Sequence, residues 1–225
     1  MEHHDKEYCL EVWGPFACFT QPALKVERFS YDVITPSAAR AIFESIFWKP
    51  AIRWEVTRIE VINPIKKYNI LRNEVGAIAG KKAEPIFIED KRQQKNSVVL
   101  RDVRYRIHAK LVFIPLRERQ DKHKPGHDMK DENPGKYQAM FERRAKSGQC
   151  FNQPYLGTRE FSAFFRYVDN DIEASPIAES RDLGLMLYDM DFKGNLEKPD
   201  PMYFHAVMEN GVIIVPPPGS KEILR

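Results

Sequence analysis

Residues 98–115 read VVLRDVRYRIHAKLVFIP. Val103, Tyr105, Ile107, Ala109, Leu111 and Phe113 alternate here with polar residues. Successive side chains of a strand point to opposite faces, so this spacing predicts a long strand with one apolar face. Working outward, Tyr8–Phe16 (YCLEVWGPF) alternates in the same way and ends at Gly14-Pro15, which predicts a first strand. Pro36 and Ser37 open a helix, SAARAIFESIFW, whose Ala38, Ile42, Phe43 and Ile46 make one apolar stripe. Lys49-Pro50 closes it, because proline disfavours helix in the residue before it. Arg53–Val61 (RWEVTRIEV) alternates again, and Lys66–Gln94 reads as an extended loop or a projecting hairpin.

After the long strand comes ENPGKYQAMFERRAKSG (132–148), a helix over 133–147. Asn133 suits the N-cap, Pro134 the first helical position and Gly148 the left-handed residue past the end. Tyr137, Met140, Phe141 and Ala145 form its apolar stripe. Strand, helix, strand, then strand, helix, strand predicts an α+β fold of ferredoxin-like (RRM-like) type, an antiparallel sheet with helices on one face. Past Ala178, LGLMLYDMDF and MYFHAVMENGVIIVP read as short strands, with Asn210-Gly211 as a hairpin turn. The expected division is 1–178 for the ferredoxin-like domain and 179–225 for a small antiparallel β-sheet domain.

Composition narrows the function. The chain has 225 residues, 43% hydrophobic and 30% charged, as a soluble globular protein does. No apolar run approaches the roughly 20 residues of a membrane helix, and MEHHDKEY lacks a signal-peptide core, so a cytoplasmic protein is expected. Cys9, Cys18 and Cys150 are odd in number and lie in no metal-like spacing, which predicts buried, reduced thiols. The net charge of +3 hides an asymmetry: residues 101–150 hold 13 Lys/Arg against 7 Asp/Glu, and 167–200 hold 3 against 9. A basic middle and an acidic late segment fit a polyanion on one face; ordinary surface charge fits equally.

Lys136 falls in the first turn of the second helix, where the backbone dipole already favours an anion. A lysine there serves a phosphate better than it serves the helix, although a solvated basic face remains an alternative. Gly157 and Arg159 in FNQPYLGTREF (151–161) suggest a close backbone approach and a guanidinium for a phosphate, or a plain structural turn. His108 and His205 lie within strands and read as hydrogen-bonded structural histidines. His123 and His127 occupy the loop before the helix. No phosphate-cradling glycine loop, nucleophile elbow or zinc-protease helix occurs.

Three stretches carry a resemblance: VWGPFACFTQPALKVERFSYDVITPSAARAIFESIFWKPAIRW (12–54), NPGKYQAMFERRAKSGQCFNQPYLGTREF (133–161) and the LGLML…NGVIIVP tail. They resemble the CRISPR-associated subtype I-C repeat-processing proteins, the d branch of the "Cas five" family within the RAMP superfamily. The resemblance implies metal-independent cutting of precursor CRISPR RNA at the base of the repeat hairpin, without cofactor. It also implies retention on the 5′ end of the guide RNA as a subunit of the subtype I-C interference complex; a general nucleic-acid binder that also holds duplex DNA is an alternative. Its proposed triad is a tyrosine after the first helix, then a lysine and a histidine opening the later helix. Carried over, the lysine is Lys136, the tyrosine position holds Phe47, and the histidine position holds Tyr137. Lys136 and Tyr137 are therefore the expected catalytic residues, and Phe47, Lys49, Arg143, Arg144, Lys146 and Arg159 the expected RNA contacts. Three readings fit the departures. Tyr137 carries the proton, or His123 or His127 does, or the protein caps the guide or binds nucleic acid without cutting.

Overall fold

The computed structural model describes residues 5–77, 80, 85–115, 119, 133–169, 174–192 and 197–225. Most of the alternating stretch 98–115 lies in β4 (Arg92–Phe113), a 22-residue strand inside the sheet. β1 (Lys6–Ala17) pairs with it antiparallel from Lys6↔Leu111 to Ala17↔Leu100. β2 (Ile52–Val61) pairs antiparallel along its other side, and β5 (Phe164–Val168) flanks β1. β3 (Lys67–Val75) pairs with Arg92–Leu100 of β4, so the segment 66–94 is a projecting hairpin, with the short helix α2 (Ile88–Lys91) in its connection.

The strands expected to make a separate C-terminal sheet instead extend the first one. β8 (Val212–Ile214) pairs with β2, and β7 (Asp200–Glu209) and β6 (Arg181–Asp191) follow outward, giving the order β5-β1-β4-β2-β8-β7-β6. Pairing with β8 covers the backbone edge that β2 would otherwise expose. The hairpin between β7 and β8 turns at Asn210 and Gly211, with φ of 47° and 75°, as Asn-Gly turns require.

Two helices cover one face. In α1 (Pro36–Ile46) the Thr35 side chain caps the N-terminus by accepting from the Ala38 N–H at 3.3 Å. α1 stops two residues before the expected end: Phe47 turns extended, and its carbonyl accepts from Trp54 Nε1 at 2.9 Å. In α3 (Pro134–Lys146) the Asn133 side chain accepts from the Gly135 N–H at 2.8 Å. Phe141 fastens α3 to the sheet, its ring 4.5 Å from that of Trp54 and 4.9 Å from that of Tyr8. The core beneath both helices is built from Leu10, Val12, Ile42, Phe43, Ile59, Ile107 and Leu111, all buried. Among the described residues no helix is long and apolar enough to cross a membrane.

Candidate nucleic-acid interface

The C-terminus of α1, the end of β4 and the start of α3 meet at one end of the sheet. Phe47 stands at this junction and is fully buried, at 0% exposure. Its ring lies 6.4 Å from Tyr137, and Tyr137 stacks in turn on Phe113 at 6.1 Å, so the half-buried phenol is held between two rings. Phe47 is thus a support beneath the surface rather than a surface contact. Phe113 was legible as a strand residue but not as part of a site, because the other ring reaches it from a helix more than twenty residues later.

Arg144 is also a support. Its guanidinium lies 5.4 Å from the centre of the Phe47 ring, and its Nη1 donates to the Ile46 carbonyl at 3.2 Å. It thereby satisfies a carbonyl that the end of α1 leaves without a helical partner. Lys146 pairs with Asp169 at 3.1 Å and lies over the Tyr167 ring at 5.0 Å. Lys136, Lys49 and Arg143 reach solvent, and their side chains have no hydrogen-bond or ion-pair partner among the described residues. Lys136 occupies the third helical position of α3, with its own N–H donating to the Asn133 carbonyl at 2.9 Å. Arg119 adds a guanidinium 5.7 Å from the Phe113 ring, a cation that no spacing in the sequence pointed to.

Arg159 lies elsewhere. Gly157 does make a close approach, at φ 87°, but to protein: a Cβ there would sit 2.0 Å from the Cys18 carbonyl oxygen. Cys18 follows the far end of β1, roughly 35 Å of strand from the α3 end. Arg159 is exposed beside that loop, and the neighbouring Glu160 pairs with Arg72 at 2.7 Å. His123 and His127 lie outside the described residues.

The opposite face of the sheet is charged. Glu60 accepts from His108 at 3.0 Å and from Arg106 at 2.7 Å, which makes His108 the structural histidine expected of it. The His108 hydrogen bond, then the charges of Arg106 and Arg58, hold the Glu60 carboxyl below its usual range against the opposing pull of burial. Cys9 Sγ lies 3.7 Å from His108 Nε2, but burial pushes this thiol up to about 12, so the pair offers no nucleophile. His205 pairs with Asp182 at 2.8 Å on an exposed part of the same sheet.

A family profile described as CRISPR-associated protein (Cas_Cas5), of the Cas5d type, matches residues 7–216. The chain belongs to the Cas5d family. A Cas5d relative from Mannheimia succiniciproducens, named CRISPR pre-crRNA endoribonuclease Cas5d, is 45% identical over 234 residues, covering 96% of this chain and 97% of its own. Its namesake from Thermus thermophilus is 41% identical over 232 residues, covering 96% and 94%. The crystal structure of a CRISPR-associated protein shares the fold over 100% of both chains, with a TM-score of 0.70 at 24% identity.

Proposed function

We propose that this chain is a precursor-CRISPR-RNA endoribonuclease that cuts at the base of the repeat hairpin and stays on the 5′ end of the guide. The observation that carries this reading is the full-length likeness to relatives named for that activity, at 45% and 41% identity. The exposed Lys136 in the first turn of α3 supports it from the geometry.

In the reaction, the ribose 2′ oxygen forms a bond to the adjacent phosphorus and the P–O5′ bond breaks. The 2′ proton leaves to a base, the O5′ oxygen gains a proton, and the product ends in a 2′,3′-cyclic phosphate. The nucleophile is internal to the RNA, so the protein's tasks are proton transfer and charge stabilisation. Lys136 supplies the cation for the developing phosphorane charge, strengthened by the positive end of the helix dipole. Tyr137 is the nearest proton carrier in this assignment, held between Phe47 and Phe113. An unperturbed phenol, near pKa ~10, is a slow base at neutral pH.

A second reading, a guide-RNA cap without cutting, is favoured by Phe47 and Tyr137 standing where the family resemblance implies a tyrosine and a histidine. Lys49 and Arg143 serve as phosphate contacts in either reading, and Arg159 at the far end contacts a different part of the RNA or a partner. The β1-α1-β2-β4-α3-β5 portion is read as ferredoxin-like, supported by the order β5-β1-β4-β2, the antiparallel pairings and the helical crossovers. Residues 1–178 then form the RNA-processing unit and 179–225 a second, β-rich one. The partners in this reading are the other subunits of a subtype I-C interference complex and duplex DNA.

The test is incubation of the purified protein with its own repeat RNA in EDTA. The expected result is one cut leaving a 2′,3′-cyclic phosphate, blocked by a 2′-deoxy substitution at the scissile nucleotide and by Tyr137→Phe. Loss of cutting in EDTA with restoration by magnesium would overturn the mechanism. An inert wild type that binds the RNA tightly would establish the cap.

A further inference from the structure

The proposed chemistry uses the helix-covered end of the molecule and leaves the open face of the sheet without a role. On that face Trp13 of β1 stacks on Phe164 of β5, ring centres 6.0 Å apart and planes 24° from parallel. Phe164 is 57% exposed, a large apolar area to leave in water. The register places Arg104 directly across from Trp13 on the other side, and sets Glu11, two residues back, between Arg106 and Arg166. Glu11 accepts from Arg104 Nε at 2.9 Å and lies 3.2 Å from Arg166 Nη2 and 3.8 Å from Arg106 Nε. With Arg58 and Glu60 counted, four guanidiniums meet two carboxylates, so the strip beside the rings is cationic.

Beside the indole is a hollow of about 350 Å³, lined by Trp13, Pro15, Asn63, Asp102 and Arg104 among others. Asp102 takes a left-handed backbone at φ 53°, opposite Pro15, whose missing N–H leaves that rung of the ladder open. Asp102 and Asn63 give the hollow a polar rim, with the Asn63 amide donating to the Asp102 carbonyl at 2.8 Å. Exposed aromatic faces flanked by arginine are the means by which proteins hold unstacked bases, the ring taking the base and the cation its phosphate.

We infer that the open sheet face holds a second RNA site, in which one unpaired nucleobase stacks on the Trp13–Phe164 pair and its flanking phosphates meet Arg104 and Arg166. The site rests on the RNA-binding reading above and extends it to single-stranded RNA beyond the scissile hairpin base. The charge favours this occupant over a protein partner, because a positive strip around a flat aromatic pair complements a base and its phosphates. Its position on the open face also separates it from Lys136, which α3 carries on the covered side.

The experiment is fluorescence anisotropy of a labelled cognate repeat RNA with the full chain and with Phe164→Ala, Trp13→Ala and Trp13→Phe. Loss of a stacked base weakens binding by about tenfold or more, so Phe164→Ala and Trp13→Ala each lose at least that, while Trp13→Phe retains most of the affinity. Phe164 is exposed enough that its truncation leaves the core intact, which keeps the test valid if Trp13→Ala fails to fold. Ultraviolet crosslinking of the wild-type complex should place an adduct on the Trp13 or Phe164 peptide. Wild-type affinity retained within twofold in folded Phe164→Ala, or adducts confined to other peptides, would overturn the second site while leaving the processing activity standing. A wild type that binds no RNA would overturn both.

Discussion

On its helix-covered side the sheet presents Leu10, Val12, Ile59 and Ile107, all buried against α1, α3 and their neighbours. One residue along the same strands, its other side presents Glu11, Glu60, Arg106 and His108. Glu11 and Arg106 are as inaccessible as much of the core, at 3% exposure each. At Glu11 and Arg106 the charged face is buried as deeply as the apolar one, by different means. Apolar burial is non-directional and tolerates changes of pH and salt, whereas the charged face holds only while each ion has its counter-ion. On the charged face, Nε and Nη2 of Arg106 lack a hydrogen-bond partner among the described residues, so its balance is already incomplete. The covered face fixes the fold, and the open face gathers its arginines around Glu11 and Glu60.

Breaking the apolar face should have the largest effect. Phe141→Ala removes the ring that packs on Trp54 and Tyr8, and should cost about 3–5 kcal/mol in chemical denaturation. A loss below about 1 kcal/mol would mean that α3 is not anchored through this ring. Glu11→Ala should come next, at about 3 kcal/mol, because it strands guanidiniums that the carboxylate now gathers. Stability unchanged by that substitution would show that water already screens the open face.

The faces should also part on acidification. The Glu60 carboxyl is held below its usual range in the folded protein, so its contribution is present above the unfolded value and is lost as pH falls through the folded one. Glu60→Gln should therefore lower the melting temperature near neutral pH and flatten its decline in acid. Parallel curves for wild type and variant would remove Glu60 from the acid response. The smallest effect concerns the exposed cations: Arg143→Gln should reduce the salt slope of RNA binding by about one, with stability unchanged. Arg144→Gln should act the other way, lowering stability through α1, since its guanidinium caps Ile46.

Much of this was legible along the chain. The alternation of 98–115 identified the central strand, and the Asn133, Pro134 and Gly148 signals bounded α3 within a residue or two. Local caps and periodicities are written in adjacent residues, so they can be read without the fold. What could not be read depended on distant partners. β8 joins β2 across some 150 residues, so the C-terminal strands looked like a sheet of their own. Phe47 carries no mark distinguishing a buried support from an exposed contact. Lys146 looks like any basic helix residue until β5 brings Asp169 to it, and only the length of β1 reveals that Arg159 lies at the opposite end from Lys136.

The most direct measurement is single-turnover cleavage of cognate repeat RNA by Lys136→Ala in EDTA, with the dissociation constant determined on the same preparation. Lys136 is assigned to charge that develops in the transition state, so its removal should slow cleavage by about 10²–10³ while affinity falls far less. Equal losses in rate and affinity would make Lys136 an ordinary phosphate contact, and an unchanged rate would move the chemistry away from the start of α3.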